Sequence, residues 1–390
     1  MATDFTVDRD TVKYVLNSSG DIASVAIDTP AIEYNTDGTY KGLLVEPAST
    51  NLCLQSEDIN TTWNPANATP TQSTEETPDG DTTNKYIKLV DDNTGGGATG
   101  SVYVEQVITV TGGAKYTGSV FLKKSGLNWA RLMAFGAGSV GNANPSQYFD
   151  LDTGALGTGN AGIDDATIEE YPNGWYRCSI TWTQGAGDTS FLFVINVADG
   201  NNVITVDLDG TSSIFVWGAQ VEEGPIATSY IPTTTASVTR NKDDISLTGA
   251  SDLIGQSEGT LYAEVDWRKA GTSQQILISI NDGNFTNRIN FISSSNTFSF
   301  AESGISITES NGSYTGIQKF ALAYATNNSA GFRNGSQVGT TDTTCTISSG
   351  KTDIDIGQSF AASAQANMWI RAVALYKTRL TDDQLADLTS

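Results

Sequence analysis

Apolar and polar residues alternate along much of this chain with a period of two, the spacing that sends successive side chains to opposite faces of a β-strand. The segment 258–267, EGTLYAEVDW, alternates strictly: Leu261, Ala263, Val265 and Trp267 oppose Tyr262, Glu264 and Asp266. In 174–183, GWYRCSITWT, a core face of Tyr176, Cys178, Ile180 and Trp182 leaves Trp175 and Arg177 on the more polar side. In 101–110, Val102, Val104, Ile108 and Val110 face inward, opposite Tyr103 and Glu105. In 128–135, Trp129 and Arg131 repeat the Trp-x-Arg spacing, with Met133 and Phe135 on the same face. The run FLFVINV at 191–197 is apolar on both faces and predicts a central strand.

Strands are predicted over 84–90, 101–110, 116–123, 128–135, 146–151, 174–183, 191–197 and 213–221, separated by Gly-, Asn- and Asp-rich connections. Many short strands with such turns are the signature of a sandwich. A second series covers 258–267, 275–281, 288–291, 297–300, 318–325, 330–333, 353–356 and 368–376. It ends in a small helix that Thr381 and Gln384 open as a capping box, with Leu380, Leu385 and Leu388 as its apolar contacts. Between the two series, Glu222 to Pro225 closes a strand and 232–240 is an exposed, Thr/Ser-rich connection. The expected fold class is all-β, two antiparallel β-sandwich (jelly-roll) domains in tandem with a short C-terminal helix. The expected boundaries are an extended arm at 1–42, a jelly roll at 43–232, a linker at 233–250 and a second sandwich at 251–390. The arm is too short to fold alone and is expected to lie on the next domain or on a neighbouring subunit.

At 390 residues the chain is long enough to bury two cores without disulfide staples. Its 44 acidic and 21 basic residues give a net charge of −23, which repels phosphate backbones and anionic membranes, so no nucleic-acid partner is expected. No segment has the length to cross a bilayer and the N-terminus lacks a signal pattern, so a soluble chain with no membrane insertion is expected. Histidine is absent, which removes Ser-His-Asp, Cys-His and zinc-hydrolase schemes and leaves carboxylate chemistry as the common catalytic route. Cys53, Cys178 and Cys345 are too few and too scattered for a disulfide framework or a zinc site; a single Cys53–Cys178 bridge is the remaining alternative.

Two Asp-x-Asp pairs, Asp150/Asp152 and Asp207/Asp209, precede Gly turns and read as hairpin chemistry rather than as calcium ligands.

Three ordered blocks carry a resemblance: GLLVEPASTNL from Gly42 with Trp63 following, DLDTGALG with YPNGWYRCSITWT, and WGAQVEEG with ATSYIPTTTASVTR. Together they resemble segments of tailed-bacteriophage structural proteins that end in a carbohydrate-binding-module-like jelly roll. The later segments GTLYAEVDW, FALAYATNNSAGFRNGSQV, DIDIGQS and MWIRAVALYKTRLTDDQLADLT resemble the laminin-G-like, concanavalin-A-type sandwich. The resemblance implies a virion surface protein (fibre, spike or capsid decoration), assembled in the host cytoplasm, homo-oligomeric, and touching a host surface glycan and other virion proteins. Modules of this kind present aromatic rings beside charged or amide groups on a sheet face, where the ring stacks on a sugar and the polar groups take its hydroxyls. That makes Trp175, Arg177, Tyr103, Glu105, Trp129 and Arg131 the candidate glycan residues. The competing reading of a Trp beside an Arg is a cation–π pair packed under a loop or the arm.

By analogy with related modules, a structural calcium would sit near Glu57, Asp58, Glu222 and Glu223; no other cofactor is expected. Glucanases on the second type of sandwich use E-x-D-x-x-E. This chain has Glu264 and Asp266 but Lys269 in the last place, so a non-enzymatic protein is expected, and a purely structural virion protein is the main alternative.

Overall fold

The computed structural model describes residues 5–96, 98–138, 144–268, 275–284, 287–294, 297–302, 305–310, 316–359 and 364–390. The fold is all-β: antiparallel sheets pair into two sandwiches, and a short helix, Asp382–Thr389, ends the chain. Among the described residues no helix is long and apolar enough to cross a membrane.

The first sandwich has two six-stranded sheets. One runs Ala155–Gly159, Ser146–Asp150, Trp129–Phe135, Ser190–Ala198, Val102–Thr109, Asn64–Ala66, and is called sheet I below. The other, sheet II, runs Asp165–Tyr171, Trp175–Thr183, Lys115–Lys124, Ser213–Glu223, Lys85–Asp91, Ala68–Ser73. Their inner faces interdigitate through residues whose parity marked them as core, among them Val102, Val104, Cys178, Ile180 and Trp182, joined by Leu132 and Ile195. Gly118 sits opposite Phe193, where a Cβ would come within 2.6 Å of the ring; its missing side chain makes room for that phenyl group.

The second sandwich also has two sheets, and the N-terminal segment helps build both. Thr6–Asp8 pairs with Asp244–Leu247 at one edge, while Ile32–Tyr34 and Tyr40–Val45 extend the other sheet beside Met368–Tyr376. The expected boundary at residue 43 therefore falls inside a strand. Leu43 and Val45 point into the second core, so the segment read as the start of the jelly roll completes the other sandwich. The hairpin Lys13–Leu16/Ile22–Val25 goes the opposite way: Leu16 and Ile22 pack on the outer face of sheet II. The N-terminal residues thus bind the two sandwiches together rather than forming a separate arm.

The Asn334–Gly335 turn has positive φ at both positions (47° and 79°), the geometry of a two-residue hairpin that Asn-Gly accommodates with little strain. The terminal helix is capped as its sequence predicts: Gln384 N donates to Thr381 Oγ1, and Thr381 N donates to Gln384 Oε1. Its Leu385 is buried against Tyr262 and Phe332, with Leu380 and Leu388 partly buried beside it.

All three cysteines are free and buried, which removes the Cys53–Cys178 bridge. The Asp-x-Asp pairs are turn devices. Asp150 accepts from Asp152 N and Thr153 Oγ1, and Asp209 accepts from Thr211 N and Oγ1.

Candidate functional site

The six candidate glycan residues divide between the two sheets of the first sandwich. Trp175 and Arg177 lie on sheet II and are buried, Trp175 completely and Arg177 to 4% exposure. The hairpin carrying Leu16 and Ile22, together with Tyr230, covers Trp175. Trp175 Nε1 donates to the Glu76 carbonyl at 2.8 Å, and Arg177 donates to Thr228 O at 2.7 Å and to Ser119 Oγ at 3.1 Å. The Arg177 guanidinium lies 5.4 Å from the Phe121 ring centroid. Trp175 is packed under the N-terminal hairpin and Arg177 is tied to Thr228 at the cleft between the sandwiches, so their expected place on an open polar face is corrected: parity assigned the face, and segments far away in sequence cover it.

Tyr103, Glu105, Trp129 and Arg131 come together on the outer face of sheet I. Register puts Tyr103 beside Asn196, Asn196 beside Arg131, and Arg131 beside Tyr148 in one row across four strands. Glu105, Val194 and Met133 form the next row. Trp129 is flanked by Ala198 and Asp150. All four candidates are partly exposed. Arg131 is held in place: Nε and Nη2 donate to Asn196 Oδ1 at 3.2 and 3.0 Å, and its guanidinium lies 5.8 Å from the Tyr148 centroid. The Trp129 ring approaches Gly157, where a Cβ would come within 2.7 Å of Cζ3, so glycine there makes room for the indole beside the Ala155–Gly159 strand.

The polar tips on this face have unspent capacity. Among the described residues, the Tyr103 hydroxyl, the Glu105 carboxylate and Trp129 Nε1 have no protein partner, and the Asn196 amide nitrogen donates to none. A fixed cation, a carboxylate, a phenol, an amide and an indole within two or three residues of one another match the chemistry that holds a pyranose. From Trp129 to Phe135 the strand spans roughly 20 Å at 3.3 Å per residue. That is long enough for a short oligosaccharide to lie along it.

The sequence reading missed Asn196 and Tyr148. Asn196 was visible in principle, as the one polar residue in the apolar run FLFVINV. Tyr148 was not, because its strand is short and its neighbours Gln147 and Phe149 give no clean alternation.

At one end, the same face becomes apolar. Val107, Leu192 and Phe135 form a continuous row, with Val107 60% and Phe135 48% exposed.

The expected calcium ligands do not converge. Glu222 is buried and its carboxylate is filled by Ser49 Oγ, Gln220 Nε2 and the backbone N–H and hydroxyl of Thr228. Glu57 accepts from Tyr230 OH and Lys85 Nζ, Asp58 caps Asn60 and Thr61, and Glu223 is exposed at a strand end. Among the described residues the carboxylates whose oxygens lie within 4.8 Å of one another are Asp8, Asp10 and Asp28, all exposed. The calcium expectation is corrected for a physical reason: protein donors already satisfy the buried member of the set.

In the second sandwich, Glu264 accepts from Arg371 Nε at 2.8 Å and from Tyr262 OH at 3.3 Å, and its neighbours across the sheet are Lys319 and Ala372, neither a carboxylate. Lys269 lies outside the described residues. Asp266 lines a cleft of about 280 Å³ between the sandwiches with Lys41, Glu169, Arg177, Arg268 and Trp369. Cations take the Trp369 ring in that cleft, with Lys41 Nζ at 3.7 Å and the Arg268 guanidinium at 4.9 Å from the centroid.

No family model matches this chain, and no curated protein matches it. Solved structures do. The carbohydrate-binding module (CBM40) of a Ruminococcus gnavus sialidase, bound to α2,3-sialyllactose, is 18% identical, covering 35% of this chain and 84% of its own, with a TM-score of 0.29. Domain 4 of an extracellular arabinanase from Geobacillus stearothermophilus, in complex with arabinotriose, is 14% identical over 43% of this chain and 83% of its own (TM-score 0.30). Domains LG4–5 of the mouse laminin α1 chain are 10% identical over 72% and 88% (TM-score 0.29). At such identities and scores the likeness is one of sandwich architecture and does not bear on ligand.

Proposed function

We propose that this chain is a non-enzymatic glycan-binding protein of a virion surface, and that the outer face of sheet I is its binding platform. The observation that carries the reading is the row Tyr103–Asn196–Arg131–Tyr148 with Trp129 and Glu105 beside it. It combines a rigid cation, an indole and hydrogen-bonding groups that the protein itself leaves unused. The virion setting, with assembly in the host cytoplasm, rests on the three ordered sequence blocks that resemble phage structural proteins. The test is binding of labelled protein to intact bacterial host cells, beside Tyr103→Ala and Arg131→Ala variants of unchanged melting temperature. Saturable binding weakened about tenfold or more in both variants supports the reading. Equal binding by wild type and variants removes the platform from it.

One observation favours a structural role for part of the same face. The exposed row Val107–Leu192–Phe135 is the kind of apolar surface that a subunit contact covers. On this second reading the chain assembles through that row, and Val107→Asp shifts the sedimentation coefficient toward the monomer. An unchanged coefficient contradicts it.

A further inference from the structure

A second concavity, independent of the glycan platform, opens at the edge of the second sandwich. Beyond Ile370 the strand Met368–Tyr376 loses Tyr40–Val45 as its neighbour, because those two pair only through Leu43–Val45 and Met368–Ile370. The gap left between the two sheets is a groove of about 770 Å³. Its floor is core: Leu43, Ile354, Ile356 and Ile370 are at most 4% exposed. Its mouth carries Leu253, 51% exposed, and Tyr40, 43% exposed.

The groove keeps one uncompensated cation. Arg371 and Lys377 line it; Arg371 is ion-paired with Glu264 at 2.8 Å, and Lys377 stands at the rim of a chain whose net charge is −23. Arg371 Nε and Nη1 are engaged by Glu264 and the Lys41 carbonyl, while Nη2 has no partner among the described residues. Lys377 is exposed and has no ion-pair partner among them. Apart from these cations, the side-chain polar atoms on the lining are the Tyr34 and Tyr40 hydroxyls, too few to hold a sugar. The volume is that of a small-molecule site. An apolar trough with a lysine at its rim complements a molecule with a long apolar tail and an anionic head.

We propose that this groove binds a long-chain alkyl carboxylate, its chain between the sheets over Ile356 and Ile370 and its carboxylate at Lys377. The proposal does not depend on the glycan platform, which lies in the other sandwich.

The test uses the full chain and 11-(dansylamino)undecanoic acid as a fluorescent probe, displaced by laurate or by dodecyltrimethylammonium below their micellar concentrations. The expected result is saturable probe binding, displaced at least about tenfold more readily by laurate than by the cation. Lys377→Glu and Leu253→Asp, both at exposed positions, weaken laurate about tenfold or more without moving the melting temperature. The proposal is overturned if the probe shows no saturable binding, if the cation displaces it as well as laurate does, or if both variants bind as wild type. It is also overturned if the wild type pellets with phosphatidylglycerol vesicles while ignoring laurate, which would assign the groove to a membrane surface. A dimer that Leu253→Asp dissociates, with no probe bound, would assign it to a second copy of this chain.

Discussion

Lys13 Nζ lies 2.6 Å from Asp243 Oδ2, across 230 residues of sequence, with both side chains excluded from solvent. The same carboxylate holds Arg9 Nη1 at 2.7 Å through Oδ1 and accepts from Glu46 N through Oδ2. Lys13 and Arg240 also reach Glu46 Oε2, and Arg268 holds its Oε1. This chain of buried ions ties the N-terminal segment to the connection between the sandwiches. Removing one member leaves the others charged and unpaired in a dry site, which costs about 3–5 kcal/mol. Asp243→Ala is therefore expected to lower the free energy of unfolding by that amount, read from guanidinium titration. A loss under about 1 kcal/mol would mean that water already reaches the cluster.

Glu46 sets the acid side of the stability profile. Burial alone would raise its pKa, but Lys13, Arg240 and Arg268, with a hydrogen bond from Ser229, outweigh burial and hold the carboxyl well below its ordinary range. A depressed folded pKa gives stability that is present above the unfolded value of about 4.3 and is lost as pH falls through the folded value. Urea midpoints are expected to fall steeply below about pH 4 in the wild type and more gently in Glu46→Gln, which starts lower at neutral pH.

Asp355 works in the opposite sense. Burial pushes it up to about 6, with Asp244 and Asp353 adding to the rise and the hydrogen bond from Asn281 opposing it. Its protonated form suits the fold, so its contribution is favourable below about pH 4 and is lost as pH rises through 6. Asp355→Asn keeps an acceptor for Asn281 Nδ2 and removes the buried charge. It is expected to stabilise the protein by about 1–2 kcal/mol at pH 8 and by nothing measurable at pH 4, compared by urea unfolding at the two values. Equal effects at both pH values would remove the charge from the explanation.

Trp175 is a core residue, and its substitutions are expected to act on stability. Trp175→Ala should cost about 3–5 kcal/mol through the cavity it leaves among Leu16, Ile22, Phe121 and Trp217. Trp175→Phe, which loses the bond to the Glu76 carbonyl, should cost less and leave ligand binding as in wild type. Thermal melts of the two variants, ranked Ala below Phe below wild type, check this.

The contrast between the two Trp-x-Arg pairs shows what the sequence held. Trp129/Arg131 and Trp175/Arg177 have the same spacing, the same strand setting and the same outward parity. Parity placed each pair correctly on the outer face of its sheet. It could not say that Leu16 and Ile22, more than 150 residues earlier than Trp175, cover one of those faces. Strands with one buried face were legible for the same reason: Val102–Thr109 and Trp129–Phe135 alternate because water is on one side only. Ala155–Gly159 and Asp165–Tyr171 carry no such signal, since most of their side chains are exposed. The strand Tyr40–Val45 was not among the predicted strands, and its pairing with Met368–Ile370 was out of reach because nothing local encodes a pairing across that distance.

The most direct test of the glycan platform is a glycan-microarray measurement of wild type, Trp129→Ala and Trp175→Phe side by side. The account predicts that wild type and Trp175→Phe bind the same glycans, and that Trp129→Ala loses about tenfold or more of the signal-derived affinity. Binding that survives in Trp129→Ala and disappears in Trp175→Phe, or no glycan bound by folded wild type, would contradict it.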